Sequence, residues 1–268
     1  MDTPFTFPAR LVWWRKRRAL SQLQLALVAD CSQRHVSFLE IGRAKPSREM
    51  VLRLSSALDV PMRNTNELLL AAGFAPAWTE SSLDARSLAP VREALDHILT
   101  QQEPFPAVVV DRRWNLLQGN KGAVALVEFL VGPIQPGVML NLANSLVAPG
   151  ILRPYLTNWA DVVRYFLRSV EADAAADGTS ETTALLERLL NYDGVRSAMT
   201  AAGVPAAEGP VLPMLFQKAD TRLSLFTTIA TLGTPQDITV QELRIESFFP
   251  MDETTRGSFH QWAAAGNP

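Results

Sequence analysis

The sequence predicts an α+β chain, with an N-terminal bundle of five short helices followed by a domain of antiparallel sheet plus helices. Three observations predict it. Over the first 72 residues, apolar positions recur at helical spacing and are cut into short lengths by cap and stop residues. Residues 73–90, GFAPAWTESSLDARSLAP, then break the periodicity with prolines, a glycine and a Ser/Asp cluster. Beyond them, runs rich in Val, Ile, Thr and Phe stand on either side of a helical middle, which is the pattern of a sheet with helices on one face. The expected boundaries are 1–75 for the bundle, 76–103 for a linker and connecting helix, and 104–268 for the sheet domain.

Helix one is expected from Pro8 to about Leu20, with Leu11, Trp14 and Arg18 on related faces and RKRR exposed. Ser21 caps a second helix that runs through Ala29, its inward stripe being Leu23, Ala26 and Leu27. Asp30 stands at the corner that follows, where a positive φ is often needed, and Asp tolerates that better than most residues. Cys31 is expected as a small buried residue at the same corner. Ser32 caps a third helix to about Ile41, with Val36 and Leu39 facing in and Gly42 as its stop. Ser47 opens a fourth helix with Leu52, Leu54 and Leu58 inside, and Met62–Ala72 forms a fifth. Residues 88–103 read as one amphipathic helix. PFPAVVVDRRWNLLQGN then reads as a hairpin around a D-R-R corner, and Asn120–Leu130 as a helix. Residues 138–199 read as mostly helical, interrupted by Pro149–Pro154 and by the polar loop ADGTSE. PVLPMLFQK, RLSLFTTIATLG and ITVQELRIESFFP supply three late strands.

Composition narrows the function. A chain of 268 residues, 47% hydrophobic and 19% charged, is long enough for two ordinary domains with their own cores. No apolar run approaches the roughly 20 residues that span a bilayer. The first residues lack a signal-peptide pattern, so a cytoplasmic protein without a membrane partner is expected. The single Cys31 excludes an intramolecular disulfide and has no partner spacing for zinc. The net charge of −2 conceals an asymmetry: residues 1–70 carry 11 Lys/Arg against 6 Asp/Glu, and the rest 14 against 21. A basic N-terminal block suits a polyanion.

Two short helices around a tight corner, the second opening with polar side chains, form the layout of a helix-turn-helix. The expected partner is double-stranded DNA. Gln33, Arg34, Ser37 and Phe38 are the candidates for base contact, Gln to adenine, Arg to guanine and Phe to a thymine methyl. Arg15, Arg17, Arg18, Gln22, Arg43 and Lys45 are the candidates for phosphate contact. A homodimer would read two half-sites ~34 Å apart.

At this point the sequence resembles a family. RRALSQLQLALVADCSQRHVSFLEIGRAKPSREMVLRLSSALDVPMRNTNELLLAAGFAP is similar to the helix-turn-helix of the XRE/Cro-type bacterial regulators. The part downstream resembles the ligand-binding domain of the MmyB-like regulators, most specifically in RPYLTNW and LGTPQDITVQELRIESFFP. The chain departs from the pattern at Asp30, where relatives usually place Gly. The resemblance implies a PAS-like C-terminal domain that holds a small apolar ligand, fatty acids being seen in relatives. It also implies a ligand-responsive transcription regulator.

A pocket of that kind needs an apolar wall with a few polar anchors. One face of residues 222–233 presents Ser224, Phe226, Thr228 and Ala230, and the other Leu223, Leu225, Thr227 and Ile229. Alternation does not say which is inside, and Phe226 and Thr228 are taken as ligand contacts. Trp159, Tyr165, Phe166 and Phe216 are candidates for the helical side, with Arg153 or Arg164 to hold a carboxylate. The alternative is a C-terminal domain without a ligand, serving dimerisation or protein contacts.

No catalytic residue, metal site or cofactor is expected. His35, His97 and His260 are the only histidines, and there is no HExxH, GxSxG, Walker loop or paired Cys. Asp237, Glu242 and Glu246 are close in sequence, but strand and turn spacing does not bring them to one ion.

Overall fold

A computed structural model describes residues 6–133, 140–200 and 210–266. By contact density the chain divides into two compact units. The first comprises residues 1–81 with 175–180 and 235–241, and the second holds the remainder.

Within residues 6–81 of the first unit lie five helices: α1 Phe7–Arg17, α2 Gln22–Val28, α3 Gln33–Glu40, α4 Arg48–Ala57 and α5 Met62–Ala71. Their starts follow from serine caps. The hydroxyls of Ser21, Ser32 and Ser47 accept from the amides of Gln24, His35 and Met50, each at 3.1 Å, and Gln24 completes a capping box with the Ser21 amide at 2.8 Å. Asp30 takes the expected positive φ of 49° at the α2–α3 corner. Around Trp14 and Leu11 the core gathers Leu25, Val36, Leu39, Val51, Leu54, Leu58, Leu68 and Leu69. Cys31 is half-buried against it.

The inward stripe of α2 differs from the expected one. Leu25, Ala26 and Ala29 are buried, while Leu23 and Leu27 are 51% and 72% exposed. A seven-residue helix with a leucine at every second position offers two overlapping stripes, and periodicity alone does not choose between them.

The second unit opens with α6 Ala89–Gln101 and the hairpin β1 Ala107–Val110 and β2 Leu116–Gly119. Helices α7 Lys121–Val131, α8 Leu142–Val147, α9 Trp159–Asp177, α10 Ser180–Leu190 and α11 Val195–Thr200 follow. The chain then forms β3 Met214–Lys218, β4 Thr221–Ala230, α12 Ile238–Glu242, β5 Arg244–Pro250 and α13 Glu253–Ala265. The sheet is antiparallel in the order β2-β1-β5-β4-β3, so the early hairpin joins the late strands through the β1–β5 pair.

Three expectations are corrected here. The stretch ITVQE is helix, not strand, because the Asp237 carboxylate accepts from the Thr239 amide at 2.9 Å and starts a turn there. The C-terminal helix α13, capped by Asp252 on the Thr255 amide at 2.7 Å, went unread. Helices also cover both faces of the sheet. Val108 and Val110 face the large core, whereas Ala107 and Val109 face α6 together with Leu243 and Ile245. Four buried residues in a row on β1 are the signature of a strand covered on both sides.

Asn120 fastens the hairpin to its helices. Its carbonyl accepts from the Ala107 and Ala123 amides, both at 2.9 Å, and its amide donates to the Leu99 and Phe105 carbonyls at 3.1 and 2.8 Å. Beside it, a Cβ on Gly122 would lie 2.3 Å from the Pro104 carbonyl, so only glycine lets α7 start this close. Asn120→Ala should destabilise the protein by at least about 2 kcal/mol in denaturant unfolding, since four backbone groups, three of them in buried bonds, lose their partner. A loss within experimental error would mean that water replaces the side chain.

Candidate functional site

The first turn of α3 places Gln33 and Arg34 in solvent. One turn on, Ser37 and Phe38 are half-buried, and the Arg34 guanidinium lies 5.1 Å from the centroid of the Phe38 ring. Arg43 and Lys45 are exposed in the loop after α3. Arg48, on the first turn of α4, is exposed as well and was missed, because it reads as an ordinary first-turn residue. These side chains form the outward polar face of the helix-turn-helix.

Of the other four expected phosphate contacts, Arg15, Arg18 and Gln22 are half-buried and bonded within the fold, while Arg17 is exposed. Arg15 donates to both oxygens of Glu40, at 2.5 and 2.9 Å, and to the Leu20 carbonyl at 2.9 Å. The first of these bonds, with the adjacent negative charge, raises the Arg15 pKa above its ordinary value against the cost of burial. Gln22 donates to the same Glu40 carboxylate at 2.7 Å. Arg18 donates to the carbonyls of Leu58 and Asp59, at 2.7 and 2.5 Å, and so closes the end of α4. Arg17 stacks on Trp13, 4.4 Å from its centroid, and donates to the Ala175 carbonyl. A sequence count of cations does not separate these internal roles from outward ones.

A cavity of about 350 Å³ opens inside the second unit. Its walls come from the sheet (Val108, Phe216, Thr227, Ile229, Phe248), the hairpin corner (Trp114), α7 (Leu126), α8 (Leu146) and α9 (Val162, Tyr165, Phe166). Tyr165, Ser169 and Ile229 line it and remain exposed, which marks its open side. Tyr165 and Phe166 line it from the helical side, on α9, whereas Phe216, expected on that side, lines it from β3.

The remaining expected ligand contacts do not line it. Phe226 and Thr228 belong to the opposite face of β4, where Phe226 stacks on Phe249 at 5.3 Å. Pairing decides the face: Ile229 lies opposite Glu246, and Thr227 opposite Phe248, all four on the cavity side. Trp159 donates to the Leu146 carbonyl at 2.7 Å and carries Arg153 at 3.8 Å over its ring, and both flank a separate depression with Tyr192 and Asp193. Arg164 is buried, donating to the Ala198 carbonyl at 2.9 Å.

Two wall residues carry more information than the sequence showed. Trp114 sits at φ 64°, a left-handed conformation that is uncommon for a bulky residue. Its ring is buried against Phe166, with centroids 4.7 Å apart. The amides of Arg113 and Asn115 donate to the Asp111 carboxylate at 2.8 and 2.9 Å and brace the corner. Glu246 is the other. It lies in the middle of the sheet, between Val108 and Ile229. Burial pushes its carboxyl from 4.5 up to about 7, against a hydrogen bond from the Thr227 hydroxyl. Tyr165 is the other ionisable group on the cavity wall among the described residues.

Between those two pH values the folded protein keeps a proton on Glu246 that the unfolded chain has released. The stabilisation is full below the lower value and is lost as pH rises through the higher one. Melting curves should therefore show Glu246→Gln gaining on the parent as pH rises from 4.5 to about 7, with a constant gap outside that window. A gap that ignores pH would mean that the carboxyl is solvated. Arg15→Ala should cost about 3 kcal/mol, because it strands a carboxylate whose side chain is 4% exposed. It should also leave the salt dependence of DNA binding unchanged; a flatter salt slope would return Arg15 to the phosphate contacts.

Comparison with known families agrees with this arrangement. A family model described as Helix-turn-helix matches residues 11–63. A second, described as MmyB-like transcription regulator ligand binding domain, matches residues 91–261. A search of curated proteins gives no match. With a helix-turn-helix of XRE type ahead of a ligand-binding domain that spans more than half its length, the chain belongs to the MmyB-like transcription regulators, which bind DNA.

Proposed function

We propose that this protein is a ligand-responsive regulator of the cytoplasm that reads DNA with the first turn of α3 and responds to a small apolar molecule held in the cavity of its second unit. The observation that carries the reading is the cavity itself. Its volume of about 350 Å³ lies at the small end of the range for ligand sites, its walls are largely aliphatic and aromatic, and its polar groups are few. A core that served packing alone would be filled to the density of an organic crystal. The chain of a fatty acid would match these walls, although its carboxylate would find neither Arg153 nor Arg164 on them.

For the DNA end, Gln33 and Arg34 act on base edges, with Ser37 and Phe38 beside them, while Arg43, Lys45 and Arg48 neutralise phosphates. A homodimer would present two such faces to paired half-sites. Switching requires that the ligand bind one arrangement of the protein better than another.

The test begins with DNA recovered with the purified protein and sequenced to give the operator. Arg34→Ala should weaken operator binding about tenfold or more and binding to scrambled DNA much less. Lys45→Ala should weaken both alike and lower the salt slope by about one. Equal losses on both DNAs would remove Arg34 from base readout. Native mass spectrometry of gently purified protein should show a small-molecule adduct that a bulky wall substitution, Ile229→Trp, removes. A mass without adduct in the parent would favour the C-terminal domain as a contact module.

A further inference from the structure

Resting on the reading of the cavity as a ligand site, we propose that its ligand is an apolar molecule bearing a protonated amine, held by an ion pair to Glu246. Among the described residues Glu246 is the one side chain on the cavity wall that can carry charge near neutral pH. No lysine or arginine among the described residues lines the cavity with it. Arg244 stands two positions earlier on β5, but it is bonded to Asp173 at 2.6 Å and lies behind the Trp114 ring, 5.2 Å from its centroid, without lining the cavity itself.

Glu246 keeps some accessible surface although protein surrounds it, as a side chain bordering a cavity does. The Thr227 hydroxyl donates to its carboxylate. A carboxylate desolvated in this way is costly unless it meets a cation or holds a proton. The empty volume in front of it is where a cation would come.

The walls favour the same choice. Tyr165, Phe166, Phe216 and Phe248 surround the cavity. The faces of such rings are negative and attract ammonium groups. A carboxylate ligand would meet rings and a like charge instead. A neutral ligand would fill the volume and leave the carboxyl as it is.

The experiment uses the full chain and three probes that share one chain and differ in the head: decylammonium, decanol and decanoate, measured by calorimetry at pH 8. The parent should bind decylammonium about tenfold tighter than decanol and bind decanoate weakest, and Glu246→Gln should level the three while keeping decanol affinity. Decanol bound as tightly as decylammonium, or decanoate bound best, would overturn the ion pair and leave the cavity reading standing. A preference for decylammonium that survives in Glu246→Gln would overturn Glu246 as the anchor. If none of the three binds the parent, the amine ligand and the apolar cavity reading fall together.

Discussion

The DNA-facing end of this protein depends on one buried carboxylate. Glu40 closes α3, its side chain 4% exposed, and takes two bonds from Arg15 on α1 and one from Gln22 at the start of α2. Three helices are thus held to one pair of oxygens. Because an acid out of water must keep its donors, α3 has little freedom to roll about its axis. Val36 and Leu39 stay in the core, and the opposite side, beginning with Gln33 and Arg34, stays in solvent. The outward face is as much a product of this polar clamp as of the apolar stripe beneath it.

The same clamp revises what the charge of the N-terminal block means. Arg10 pairs with Glu67, Arg15 with Glu40 and Arg63 with Glu80, while Arg18 and Arg53 cap the ends of helices. Arg34, Arg43, Lys45 and Arg48 stand in solvent around α3 and the start of α4, and Lys16 and Arg17 are exposed at the end of α1. Formal charge located the polyanion-binding half of the chain. The cations left free to face it are fewer than composition implies.

Much of the fold was legible in local chemistry. Serines at 21, 32 and 47 mark helix starts because a hydroxyl before an apolar stripe satisfies an amide that would otherwise lack a partner, and Asp30 marks the corner by its tolerance of positive φ. What stayed hidden depends on contacts distant in sequence. The choice between the two faces of β4 is made by its pairing with β5 and by the helices that cover it, so Phe226 and Thr228 could not be told from Thr227 and Ile229. The roles of Arg15 and Arg18 depend on partners 25 and 40 residues away. Glu246 reads as a polar residue on a strand edge until β1 and β4 close on either side of it. A carboxylate inside a Val- and Phe-rich sheet was the one available signal, since alternation placed it in line with Phe248.

The Trp114 corner has a bearing on how this protein can diversify. Its backbone is held in a conformation that glycine adopts freely and tryptophan does not, and its ring forms part of the cavity wall. A smaller side chain there would enlarge the cavity, but it would also remove the packing that keeps the turn in its disfavoured shape. Ligand range and hairpin geometry are therefore inherited together at this residue. Variation in what the protein accepts would arise more readily at wall positions of relaxed backbone, such as those on α9, than at the corner.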